Sequence, residues 1–530
     1  MTRRFGHGET ITSEQFDRAR ESVVRNVTDV PLAFATAQPV DLKDFDFLFP
    51  DLQTDPNNLL PESAATVANL VRLGKTMIDS PGNDAAGDSD VSALMTYFGQ
   101  FIDHDITLEL ASADLPTLTN PALTPLPLDQ IRSTLRNTRS ATLDLDSVYD
   151  LPAPRDPAND DKMLLGRVSL LNSPNPPLKR PNGKDDFNDL PRGPRTADPA
   201  TDRAARIGDP RNDENTIVAQ LHLAFLRAHN KLVERWHSFT EPRRVMRQHY
   251  QHLVIHEFLM QVADKKIVKN ILKDGPQFFK PFEEPFFMPL EFSVAAFRFG
   301  HTMIRSEYDF NVNFNTTGAS GTLPASLSFL FTFSALSGQL GDFDTLPENW
   351  IIEWENFVGA NPRSKARRFD TKLANPLFEL PTTQGTTEVG LGAMLAVRNL
   401  LRGYLLRMPT GQALATAMGL TPLTVAQIEE VASEVTPAAG EESQVDVLRS
   451  SGFAERTPLW YYILAEAAFH AKGKHLGPVA STLIAEVLIG LIQKSENSIL
   501  RNRIWEPTLP SARNGKFTLE DLLRFAGLLE

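Results

Sequence analysis

No cysteine occurs anywhere in the 530 residues, which excludes disulfides, thiolate ligation of zinc or iron, and a cysteine nucleophile. Any metal must therefore be held by histidine, carboxylate or carbonyl donors. Cations are also in short supply: 53 Lys and Arg against 66 Asp and Glu give a formal net charge of −13. A non-specific nucleic-acid binder needs clustered basic residues to neutralise phosphate, so nucleic acid is not an expected partner. A membrane-length apolar run is missing too. The longest, VASTLIAEVLIGLI at 479–492, carries Glu486 and is too short, since a spanning helix needs about 20 apolar residues. The N-terminus, MTRRFGHGETITSEQ, has two arginines but no apolar stretch behind them. No secretory signal peptide is therefore expected, and the chain is expected in the cytoplasm or exported without such a leader.

What is present is helical periodicity. Apolar residues recur at helical spacing in 64–73, 91–110, 215–236, 245–263, 292–308, 390–406, 458–471 and 479–497, and strand-like alternation is scarce, so the expected class is mainly α. Residues 1–60 are punctuated by proline and read as an extended arm on a body. Residues 111–210 are rich in Pro, Asp and Asn, and 315–345 in Ser, Thr and Gly. Irregular stretches of that length are normally either functional or disordered.

Four places carry chemistry. In FGQFIDHDITLEL (98–110), Gln100, Asp103 and His104 fall on one stripe of a helix, and Asp105 is turned away. In IGDPRNDEN (207–215), Asp209 and Pro210 form a helix-start signature, with Arg211 and Glu214 three apart on the first turn. In AFRFGHTMIRSEY, His301 sits in a run of Phe and Ala, flanked by Arg298 and Arg305. In RNLLRG (398–403), Asn399 and Arg402 interrupt a leucine-built helix. Each has a bland reading: a solvated helix face, a salt-bridged helix start, a packed core histidine, a buried amide with some structural partner.

The five motifs GQFIDHD, ATLDLDSVY, GDPRNDEN with LHLAFLRAHNKL, FRFGHT and RNLLRG, in that order, resemble the peroxidase–cyclooxygenase superfamily, the animal-type haem peroxidases that also occur in bacteria. The resemblance runs from about residue 60 to the end. It implies one large helical haem peroxidase domain over 61–530, with long loops and little β structure. It further implies that His104 is the acid–base group on the peroxide side with Arg211 as its partner, that His301 is the iron ligand, and that Asn399 accepts a hydrogen bond from it. Arg298 takes the position that contacts a haem propionate, with Arg402 also on the cofactor. Asp103 and Glu214 match the carboxylates that form ester links to haem b. Asn215 stands where some mammalian members have methionine, so their sulfonium bond cannot form.

Asp105, with Ser140, Thr142, Asp144 and Asp146, resembles the family's calcium site. The alternating residues of SATLDLD share one side if that loop is extended, although Ser140 and Asp146 depart from the usual Thr and Ser. Gln100 matches a position associated with halide binding. The implied activity is reduction of hydrogen peroxide through a ferryl porphyrin-radical intermediate, with oxidation of halides, thiocyanate or phenolic donors. Two rivals stand beside it. A fatty-acid dioxygenase of the same superfamily is disfavoured because Arg298 occupies the place of the radical-forming tyrosine. A peroxidase-like adhesion or scaffold protein is disfavoured because every catalytic position is filled.

Overall fold

The computed structural model of the chain describes residues 11–12, 43–79, 87–111, 117–149, 154–171, 178–198, 201–317, 322–334, 340–380, 390–437, 440–502, 504–511 and 515–530. Most of the expected N-terminal arm, including the leader-like residues, lies outside that set.

The fold is mainly α. Its long helices are α1 (Ala64–Thr76), α2 (Ala93–Ile106), α3 (Thr216–Trp236), α4 (Thr240–Leu253), α5 (Lys265–Asp274), α6 (Leu395–Leu405), α7 (Leu459–Ala471) and α8 (Pro478–Lys494). Side-chain caps start several of them: Ser63 accepts from the Thr66 amide, Ser92 from Leu94 and Asn215 from Val218, each satisfying one of a helix's orphan N–H groups. Helix α2 is buried almost all round, from Phe98, Phe101 and Ile102 to His104 and Asp105. A helix with no solvent face lies at the centre of a fold rather than on its surface, and α2 packs against α3 and against residues 296–303. The apolar stretch at 479–492 is likewise core: Glu486 accepts from the amides of Gln277 (2.7 Å), Phe278 (2.7 Å) and Phe279 (3.0 Å). Among the described residues no helix is long and apolar enough to cross a membrane.

Short strands stitch the chain together. β1 (Ile11–Thr12), β2 (Lys43–Asp46), β3 (Glu109–Ala111), β4 (Leu135–Asn137) and β5 (Phe287–Pro289) form one sheet in the order β1-β3-β4-β2-β5. β3 and β4 are antiparallel, with Leu110 opposite Arg136, and β2 runs parallel to β5, with Phe45 opposite Met288. The sheet ties the end of the α2 segment to the loop at 138–149, which matters for the site.

Glu291 anchors the chain just after β2. Its carboxylate accepts from the amides of Leu48 (2.8 Å) and Phe49 (3.0 Å). Burial pushes this carboxyl up to about 7, against the pull of those N–H groups. A carboxyl raised in the fold contributes stability that is complete below its unfolded value and is lost as pH rises through the folded one. Wild-type Tm should therefore fall relative to Glu291→Gln as pH rises from about 5 to about 8. A thermal melt series on both proteins checks this, and parallel curves would contradict it.

Two expectations about local structure are corrected. Residues 292–308 do not form one α-helix: a π-turn over Glu291–Ala295 leads into a 3₁₀ helix over Ala296–Met303 and then a short strand at Glu307–Tyr308. Phe297 stacks on Phe292 (4.7 Å) while Phe297 and Phe299 both pack on Phe258, so tertiary packing overrides a weak local preference in a segment interrupted by Gly300. Residues 210–213 are also not the start of α3. Asp209 caps a separate 3₁₀ turn, Pro210–Asp213, and α3 begins afresh at Thr216 under its own cap.

Candidate active site

The stripe on α2 separates two neighbours of opposite direction. His104 Nδ1 lies 2.8 Å from Asn212 Oδ1, and Asn212 Nδ2 lies 3.0 Å from His222 Nδ1. All three side chains are fully buried. Burial holds the His222 imidazole down at about 3, so it is neutral, and with Asn212 Nδ2 turned toward it Nδ1 of His222 is the acceptor. In that amide orientation the oxygen faces His104, and an oxygen can only accept. His104 therefore carries its proton on Nδ1, which leaves Nε2 as the basic nitrogen on the opposite edge of the ring. Neither Asn212 nor the role of His222 is visible in the sequence, because the partners lie 108 and 10 residues apart in segments that only the fold brings together.

Arg211 reaches the same helix from behind. Its Nη2 donates to the backbone carbonyls of His104 (3.0 Å) and Thr107 (2.6 Å) and to Asp209 (2.7 Å), while Nε also faces Asp209 (3.1 Å). It thus satisfies carbonyls at the C-terminal end of α2, where a cation is favoured by the helix dipole. Asp209, clamped between Arg211 and Arg139, is held well below the usual carboxylate range despite its burial. The expected pairing of Arg211 with His104 thus runs through the main-chain carbonyl of residue 104.

Gln100 bridges the two segments. Its Nε2 donates to Glu214 (2.8 Å) and its Oε1 accepts from Asn215 Nδ2 (3.1 Å). Both ends of the amide expected to meet halide are thereby engaged. Asp103 Oδ1 accepts from the hydroxyl of Thr107 (2.9 Å). Ser334 donates to the Glu214 carbonyl (3.0 Å), so residues 326–334 lie against this side of the site.

His301 sits on the 3₁₀ segment that packs on α2. Its Nδ1 is 2.8 Å from Asn399 Nδ2 on α6, and its ring stands edge-on to Trp460 at 6.5 Å. The partner is the one expected, but the atom differs: Asn399 presents its nitrogen. The two ends of an amide are isosteric, and a half-turn about χ2 exchanges donor for acceptor. Trp460, unremarked in the sequence, donates to the Arg298 carbonyl (3.2 Å).

Arg298 is the test of whether an anionic cofactor fits. Burial, and then the charge of Arg402, push its guanidinium down to about 10. Its one hydrogen bond among the described residues is from Nε to the Ser293 carbonyl (3.1 Å), while Arg402 is paired with Glu109 and Arg305 with Asp88 (2.5 Å). Asp103 and Glu109 lie near enough to act on the charge of Arg298, but no carboxylate is hydrogen-bonded to this half-buried guanidinium among the described residues, so it favours an incoming anion, and the carboxylates of a haem fit that need.

The expected calcium donors are neighbours but do not surround a point. Ser140 Oγ bonds Asp146 (2.5 Å) and Thr142 (2.8 Å), Thr142 bonds Asp144 (2.7 Å), and Asp144 accepts from Ser495 (2.5 Å). Asp105, fully buried and turned about 100° around α2 from His104, accepts from the amides of Ser147 (3.0 Å) and Leu145 (3.2 Å), and burial, with Asp144 nearby, pushes it up to about 7. The loop is not extended as expected: Ala141 (φ 53°) and Leu145 (φ 57°) are left-handed. Among the described residues no group of three or more acidic or histidine side chains is arranged to hold a metal ion.

A profile of the animal haem peroxidase family matches residues 133–403. A peroxidase-like protein of Margaritifera margaritifera is 30% identical over 309 residues, which are 48% of this chain and 35% of that protein. The peroxidasin homolog pxn-2 of Caenorhabditis elegans is 24% identical over 327 residues, 50% of this chain and 24% of that one. The chain thus spans about a third or less of the length of these curated relatives. Among solved structures, peroxidase A from Dictyostelium discoideum superposes with a TM-score of 0.54 at 14% identity, covering 89% of this chain and 90% of that chain. At that identity the likeness is one of fold.

Proposed function

Because the chain belongs to the animal haem peroxidase family, we propose that it is a haem peroxidase that reduces hydrogen peroxide and oxidises small donors such as halides, thiocyanate or phenols. The observation that carries this reading is the run His104–Asn212–His222, which fixes the tautomer of one buried histidine on a helix packed against the segment of a second, His301.

Haem, when bound, supplies the redox centre that accepts the oxidising equivalents of peroxide and passes them to donors. His301 would hold it through Nε2, with its ring oriented by Asn399 on Nδ1; a ligating imidazole gains basicity when the other ring nitrogen donates to a fixed acceptor, so Asn399 would act with Oδ1 turned inward. Arg298 takes a carboxylate of the porphyrin. Asp103 and Glu214 are the carboxylates that would be available for ester links to it, the latter held by Gln100. His104 Nε2 would serve as the acid–base group for hydrogen peroxide, taking a proton from one of its oxygens and returning it to the other. Arg211 holds the end of α2 and supplies positive charge behind His104, an effect reduced by its pairing with Asp209.

Asn212 is a positioning residue in this scheme. Asn212→Ala should slow the reaction with peroxide by about 10–100-fold, the range for groups that orient a metal-site histidine. Asn212→Asp should restore rate and move the pH profile upward, because a carboxylate on Nδ1 raises the imidazole pKa. Stopped-flow pH profiles of the three proteins check both, and an unchanged profile would remove Asn212 from the mechanism.

Calcium remains in the proposal on donor chemistry alone, since Asp105, Ser140, Thr142, Asp144 and Asp146 offer the hard oxygens that Ca²⁺ takes. The expected outcome is a Tm that rises with added Ca²⁺ and does so less in Asp144→Asn.

The activity itself is tested by supplying haem and peroxide to the purified chain and following bromide, iodide, thiocyanate and a phenolic dye. Peroxide-dependent oxidation of at least one donor is expected. Oxygen uptake on an unsaturated fatty acid without any donor oxidation would favour the dioxygenase, and failure to bind haem would favour the scaffold.

A further inference from the structure

Helix α4 and the turn that follows it carry a second histidine cluster, away from the site above, at His249, His252 and His256. The helix widens there into a π-turn over Val254–Leu259, a rare geometry that often marks functional positions. The rings of His252 and His256 lie 4.4 Å apart between centroids, with their planes 39° apart. His252 is buried and His256 is exposed. Three features set this pair apart from a packed core histidine.

The first is how the neighbours are used. His249 spends both nitrogens on protein: Nδ1 donates to the Val245 carbonyl (2.8 Å), and Nε2 accepts from the amides of Thr508 (3.0 Å) and Leu509 (3.1 Å). It is a structural residue. His252 is not clamped in that way: one edge of its ring is turned toward the backbone of Phe517, and the ring packs on His256 and Trp505, leaving a nitrogen for a ligand. The second feature is proximity: the two rings lie side by side, close enough for one ion to take a nitrogen from each. The third is access, because the exposed ring of His256 turns toward an ion at little cost. The adjacent carboxylate of Glu257 is turned to the Leu519 amide (2.6 Å) and Trp505 donates to Gln248 (3.1 Å), so two imidazoles and water make up the donor set.

We infer that His252 and His256 form a binding site for a borderline divalent cation, of the class of Zn²⁺, Cu²⁺ or Ni²⁺, separate from the candidate active site. Two neutral imidazoles select that class over Ca²⁺ or Mg²⁺, which take oxygen. With only two protein ligands, the remaining coordination positions stay open to water or to an incoming anion.

The test is equilibrium dialysis of the full chain against Zn²⁺, and EPR of the Cu²⁺-loaded form. The expected result is one Zn²⁺ per chain and a copper spectrum split by imidazole nitrogens. Both should be weakened about tenfold or more in His256→Ala and in His256→Gln, since removing one arm of a chelate forfeits its effective concentration. Residue 256 is exposed, and far-UV circular dichroism of both variants checks that the fold is kept. Zinc binding that ignores residue 256, or no binding at millimolar Zn²⁺, would overturn the inference.

Discussion

His301→Ala should lose haem. Wild-type protein supplied with one equivalent of haem is expected to show a Soret band that survives gel filtration, and the variant to release the pigment. The expected effect is large because His301 is proposed as the only protein ligand of the iron. Loss of a group that merely orients a metal ligand costs about 10–100-fold in affinity, and loss of the ligand should exceed that. The cavity left by the ring is lined by Trp460 and Asn399, so added imidazole should restore the band in part. If the proposed esters at Asp103 or Glu214 form, the variant retains covalent haem with an altered spectrum. Acid–acetone extraction separates the two cases. A variant with wild-type absorption and extractable haem would contradict the assignment.

His104→Ala should do the opposite: keep haem and lose the reaction with peroxide. General acid–base catalysis by a positioned side chain is worth about 10²–10⁴-fold, and among the described residues no other buried imidazole is placed to substitute, since His222 faces Asn212 on the far side. Stopped-flow mixing with peroxide should show a second-order rate constant reduced by that factor, with the resting spectrum unchanged. High concentrations of a small imidazole base should recover part of the rate. A variant as fast as wild type would move the acid–base role elsewhere. The pair of variants is diagnostic only together, because each is expected to leave the other's observable nearly intact.

Residue types at motif spacing carried much of this into view. The α2 stripe and the position of His301 between arginines were legible in the helical period and the local sequence, and the meeting of His301 with Asn399 was what the family resemblance implied. The rest depended on contacts between distant segments. Asn212 looks like one more polar residue after Arg211 until the fold sets it between His104 and His222. Arg211 reads in the sequence as part of a salt-bridged helix start with Glu214 three residues on, yet Asp209, two residues before it, and the carbonyls at the end of α2 take up its donors. The stretch 292–308 has helical apolar spacing, but Phe297 and Phe299 are drawn onto Phe258 and the helix breaks. The loop at 140–146 alternates like a strand, and two left-handed residues fold it back on itself. Periodicity reports which side chains want burial; it does not report which neighbour satisfies them.

The most direct test of the central claim is the iron anomalous difference map of a crystal of the haem-loaded chain. The expected result is one iron peak beside His301 Nε2, with the porphyrin carboxylates toward Arg298 and the His104 ring across the open face. A peak on His104 or His222, or one far from residue 301, would contradict it.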